Sequence, residues 1–174
     1  MKPFVLLEVG SARVTPFGER DMTSFVHEEL ATLAQLGDFD DNRPRAVRCV
    51  HPLVTLLEKL DTLHRRVPRT DVAPATLVRH FEDAAGIIAG EKNLPRLAGY
   101  AGPRALAAEM LAQRQLATIP SAADEAFRPD ARGRFMEIRR AHAAIAPIFW
   151  GQRVELEEAC ARIRSWIAKR LSKT

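Results

Sequence analysis

Residues 49–90 read CVHPLVTLLEKLDTLHRRVPRTDVAPATLVRHFEDAAGIIAG, and their periodicity predicts two helices joined by a short basic loop. In the first helix Leu53, Leu56 or Leu57, Leu60, Leu63 and Val67 recur at steps of three and four, which draws an apolar stripe along one side. Another stripe carries Thr55, Lys59, Thr62 and Arg66, so a threonine and two cations share a side. In the second helix Leu77, Phe81, Ala84 and Ile88 are the expected core face. Thr76, His80 and Asp83 line a different side at the same spacing. Arg79 stands four residues before Asp83, close enough to pair with it. One hairpin thus gathers a lysine, an aspartate, a histidine and several arginines.

Outside the hairpin the pattern changes period several times. Residues 3–9 (PFVLLEV) are rich in β-branched and aromatic types and stop at Gly10-Ser11, which predicts a strand with Glu8 as its one charge. Patterning alone reads Glu8 as solvent-facing. From 21 to 36, Met22, Phe25, Val26, Leu30, Leu33 and Leu36 predict a helix, with Gly37 placed to close it in a left-handed conformation. The following GDFDDNRP is expected to be a solvated connection; it lacks the glycine and distal glutamate of a calcium loop. Residues 45–50 (RAVRCV) predict a second short strand.

Beyond Gly90, Pro95, Gly99, Gly102 and Pro103 keep any helix short, and 103–116 (PRALAAEMLAQRQL) predicts a helix with Pro103 in its first turn. A loop over 119–133, with one helical turn near 122–126, leads to a long helix through Phe135, Ile138, His142, Ile145 and Phe149. A last helix spans about 154–171. His142, on an apolar stripe, is expected to be a hydrogen-bonded core histidine.

These elements predict an α+β chain, predominantly helical, with a small sheet of one or two strands packed against the helical hairpin and a C-terminal helix pair. At 174 residues one domain is expected, residues 1–50 forming a strand-helix-strand part and 51–174 the helical part. A free edge on so small a sheet invites pairing, so a homodimer through it is expected. The net charge of +4 admits anionic partners without demanding them. Cys49 and Cys160 are isolated and form no CxxC pattern, which argues against zinc and against a disulfide framework. The apolar run at the start is too short for a signal or a span and no later stretch approaches 18 apolar residues, so no membrane contact and a cytoplasmic location are expected.

The hairpin, the opening FVLLEVG and the closing segments together resemble the AbiEii/AbiGii-type nucleotidyltransferase toxin family, a branch of the polymerase-β-like nucleotidyltransferases. Thr55-Leu56-Leu57-Glu58-Lys59-Leu60 looks like the family's proline-started helix with its L-x-E-K-L core. Arg79-His80-Phe81-Glu82-Asp83 is similar to its R-H-x-x-D segment, and AFRPD, AIAPIFW and the final helix resemble its closing part. The resemblance implies transfer of a nucleotide from a nucleoside triphosphate to an acceptor such as tRNA, Mg2+ as cofactor, and an antitoxin protein as partner. It further implies that Lys59 and Asp83 are the catalytic pair, that Thr55, Arg79 and His80 bind substrate, and that Glu8 stands where such folds place a metal-binding carboxylate. The plainer alternatives are a solvated Lys59 paired on its own helix and an Asp83 paired with Arg79. The family's Gly-Ser followed by Asp-x-Asp is not matched: Gly10-Ser11 has no such pair after it, and Asp38 with Asp40 lies in a loop at the wrong distance. The chain therefore reads as the C-terminal part of the pattern. Two readings stay open, a nucleotidyltransferase toxin component and a non-catalytic helical scaffold that binds a nucleotide, an RNA or a protein.

Overall fold

In a computed structural model, which describes residues 13, 15–38, 40–129, 133–148 and 153–172, the elements run in a simple order. They are β1 (Phe17–Arg20), α1 (Phe25–Thr32), β2 (Val47–Val50), α2 (Pro52–Arg66), α3 (Pro74–Ala89), α4 (Pro103–Ala112), α5 (Arg134–Ala144) and α6 (Leu156–Arg170). Single 3-10 turns occur at Leu36–Asp38, Glu91–Asn93, Glu125–Phe127 and Ala146–Ile148. The fold is α+β and predominantly helical, and among the described residues the sheet has two strands. The chain divides into two compact units, Met1–His51 and Pro52–Thr174.

In the first unit β1 and β2 pair antiparallel, with Phe17 opposite Val50 and Arg20 opposite Val47. The Arg48 guanidinium lies over the Phe17 ring at 4.8 Å, a cation–π contact across the strands. β2 falls within the expected strand 45–50. Its partner FGER was not foreseen, because it holds a single large apolar residue and no alternation. The expected strand 3–9, with Glu8 and Gly10-Ser11, lies outside the described residues. The helix expected over 21–36 is shorter, and both ends have a local cause. Ser24 caps the start, its Oγ accepting from the His27 N–H at 3.1 Å, so Asp21 and Met22 stay outside. Asp21 instead accepts from the Ala46 N–H at 3.0 Å and pairs with Arg45 at 3.0 Å. At the other end Ala34, not Gly37, takes the left-handed conformation (φ 55°), and the Gln35 N–H reaches back to the Leu30 carbonyl at 2.9 Å. Among the described residues no apolar side chain of this unit is buried, and Phe25 is 90% exposed.

The core belongs to the second unit. α2, α3 and α4 each begin on proline, which suits the first helical turn because that N–H has no intrahelical partner to lose. α2 ends on Arg65 and Arg66, cations placed against the negative end of the helix dipole. α3 is the central element, packed against α2, α5 and α6. Its buried face is Leu77, Val78, Phe81, Ala84 and Ala85, and it meets Leu53, Leu56, Leu57, Leu60 and Leu63 of α2 in one continuous cluster. Phe81 and Phe135 of α5 approach with ring centroids 6.2 Å apart in a tilted arrangement. Ile163, Trp166 and Ile167 of α6 complete the cluster.

The helix expected to continue to 116 stops at Ala112. Arg114 adopts φ 60° and the Gln115 N–H bonds the Met110 carbonyl at 2.8 Å, again a left-handed closure without glycine. The long helix expected through Phe149 ends at Ala144, where Pro147 three residues on forbids its continuation, and a 3-10 turn follows; Phe149 lies outside the described residues. His142 is a hydrogen-bonded core histidine as expected, buried with Nε2 3.1 Å from the Val154 carbonyl. Among the described residues no helix is long and apolar enough to cross a membrane.

The cysteines differ sharply in setting. Cys160 is fully buried in α6, and burial pushes its thiol up to about 12, whereas Cys49 in β2 is partly exposed. In native protein at pH 8, iodoacetamide is therefore expected to modify one thiol, at Cys49, with Cys160 reacting only in denaturant. Equal native labelling of both, read by peptide mass, would contradict the packing of α6.

Candidate functional site

The side of the hairpin away from the core opens into a cleft of about 450 Å³. It is lined by Lys59 of α2, Ala75, Thr76, Arg79, His80 and Asp83 of α3, and Ile145 just after α5. The placement follows from helical spacing. Once Leu56, Leu60 and Leu63 are turned inward, Lys59 must emerge on the flank that faces α3; once Leu77, Phe81 and Ala84 are turned inward, Thr76, His80 and Asp83 emerge on the flank that faces α2.

Lys59 Nζ and Asp83 Oδ2 meet at 2.6 Å across the two helices. Neither plainer alternative is realised for Asp83: its partner is not Arg79 of its own helix, and Arg79 forms no ion pair with any described residue. The Lys59 stem is mostly covered, which limits the positions its ammonium can reach. Asp83 is half exposed, so water screens the pair and its net stabilisation is small.

His80 is half-buried and lines the same cleft. Its Nδ1 is buried and has no hydrogen-bond partner among the described residues. Burial first, then the Lys59 ammonium and the Arg66 guanidinium, hold the imidazole below the ordinary histidine value, with Asp83 pulling the other way. The neutral ring is therefore the favoured form in the free cleft. Thr76 Oγ donates to the Ala73 carbonyl at 2.7 Å and stands in the first turn of α3.

Of the residues singled out from sequence, Lys59, Asp83, Arg79 and His80 are brought together. Thr55 lies one turn before Lys59, partly buried, and is not among the residues lining the cleft. Glu8 lies outside the described residues. Chemically the cleft offers cations at its wall and a single carboxylate that is already paired. Among the described residues no group of three His, Cys, Asp or Glu side chains is arranged to hold a metal ion. Those residues therefore do not fit a magnesium centre of paired carboxylates.

Two buried polar clusters behind the cleft were not foreseen. Asp61, 2% exposed, accepts from the backbone N–H groups of Ala117 and Thr118 at 3.0 and 3.2 Å and from Arg65 at 2.8 Å. It thereby fixes the loop after α4 onto α2. Glu82, next to Asp83 but turned inward, meets Arg153 at 2.6 Å and His142 Nε2 at 3.3 Å. Arg153 also donates to the His142 carbonyl at 2.9 Å, tying α3, α5 and the entry to α6 together. A signal existed for Asp61: it sits beside Leu57, Leu60 and Leu63 with an arginine four residues on. Arg153 is 71 residues from Glu82, and no local pattern joins them.

No family model, no curated protein and no solved structure matches this chain.

Proposed function

We propose that this chain is a nucleotidyltransferase-like protein of a toxin–antitoxin type system, and that the α2–α3 cleft takes the phosphate tail of a nucleoside triphosphate. The observation that carries the reading is the meeting of Lys59 and Asp83 at 2.6 Å on the wall of a cleft that also presents Arg79 and His80. These are the residues that the likeness to AbiEii/AbiGii-type toxins singles out. A partly covered lysine aimed across a cleft is a point charge suited to phosphate oxygens, and Arg79 supplies a planar fork that forms no ion pair with any described residue. The cleft residues themselves bind and orient the anion. A tRNA acceptor, an antitoxin, a cytoplasmic location and a homodimer formed through a strand edge belong to the same proposal.

A second reading, a non-catalytic scaffold that binds nucleotide, RNA or protein, is favoured by the cleft's single carboxylate being held by Lys59. Calorimetric titration with each magnesium nucleoside triphosphate tests the site under either reading. Lys59→Ala is expected to weaken binding at least tenfold, about 1.4 kcal/mol, with unfolding unchanged within about 0.5 kcal/mol. Equal binding by the variant would remove Lys59 from the site. Incubation with an α-labelled triphosphate and tRNA separates the readings: label on the RNA supports transfer, and binding without label supports the scaffold.

A further inference from the structure

We propose that the cleft takes up a proton on His80 when it takes up a polyanion, so that the histidine matches the cleft's charge to a phosphate-bearing ligand. The proposal rests on the reading of this cleft as a phosphate site.

The geometry that carries it is the ring's position. His80 stands in the middle of α3, half-buried, and lines the cleft together with Lys59 and Asp83. From α2 it faces two cations, Lys59 and Arg66. Its own helix adds Arg79 and Asp83 at the cleft wall, and the segment after α5 contributes Ile145, which carries no charge. Cations thus outnumber the one carboxylate, and that carboxylate is 2.6 Å from Lys59, which takes up most of its field. The ring's Nδ1 is buried and has no hydrogen-bond partner among the described residues. An imidazolium there would add a fourth cation to Lys59, Arg66 and Arg79, and a donor with no partner among the described residues.

A di- or triphosphate reverses each of these conditions. Its oxygens compete with Asp83 for Lys59, pair with Arg79 and bring two or more negative charges beside the ring. The protonated form then becomes the favoured one. The lowered proton affinity of the free site agrees with this direction. The sign follows by linkage: a site that gains a proton on binding holds its ligand more tightly as pH falls, over the range between the lowered value of the free protein and the raised value of the complex. Inorganic triphosphate is thus expected to bind more tightly at pH 6 than at pH 8.

The test reads the histidine itself. The chain has five histidines, and comparison of the intact protein with His80→Gln assigns the His80 imidazole resonances by NMR. The resonances are titrated from pH 5 to 8 without and with saturating inorganic triphosphate, and the backbone amides of 76–83 report whether the cleft is occupied. An upward displacement of the His80 midpoint by about one pH unit, a tenfold gain in proton affinity, is the expected result. Amide shifts over 76–83 with an unmoved His80 midpoint would overturn the proton uptake and leave the phosphate site standing. No amide shift at any pH would overturn both.

Discussion

Asp61→Ala is expected to cost about 3 kcal/mol of unfolding free energy, more than any exposed change in the hairpin. The carboxylate is buried in the core side of α2 and is the acceptor for two backbone N–H groups, those of Ala117 and Thr118. Alanine takes the shared acceptor away from both donors, and the cost of leaving them unsatisfied, more than the lost hydrogen-bond energy itself, sets the magnitude. The third partner, Arg65, is half exposed and contributes little. Asp61→Asn keeps one acceptor oxygen and should lose roughly half as much. Urea unfolding at pH 7 measures both. An alanine variant within about 0.5 kcal/mol of the parent would mean that the loop after α4 does not depend on this carboxylate.

The second large effect is expected at Arg153. Arg153→Met should destabilise by about 3 kcal/mol, because Glu82 then stays buried with an uncompensated charge. Both side chains are under 15% exposed, so screening does not soften the loss. The diagnostic measurement is the double variant. Removing the acid as well, in Glu82→Met with Arg153→Met, should recover most of the stability, since a buried pair replaced by apolar residues of similar size is close to neutral. A double variant as unstable as the single one would show that packing of the arginine stem, not charge, is what matters there.

These two sites also mark how far the sequence could be read. The hairpin was legible because α2 and α3 are long, strongly periodic and opened by prolines, and the same periodicity placed Lys59, His80 and Asp83 on facing flanks. The ends of α1 and α4 were overshot because Ala34 and Arg114 take the left-handed conformation that glycine usually signals. β1 was missed because four residues with one large apolar side chain form a strand through their backbone partner, not through a pattern. The Glu82–Arg153–His142 cluster was illegible for a different reason: its members come from α3, α5 and the segment before α6, far apart in sequence.

That last arrangement bears on how the protein is made. α3 is the middle of the core, yet one of the surfaces that cover it, α6, is translated well after it. On a ribosome adding roughly 5–20 residues per second, the hairpin emerges and waits for several seconds with Phe81 and its neighbours facing solvent. A chaperone that shields apolar helices has its opportunity in that interval. A premature stop within α6 would strand the nascent hairpin in that unshielded state, and such a product is a substrate for quality-control proteases rather than a shortened version of the protein.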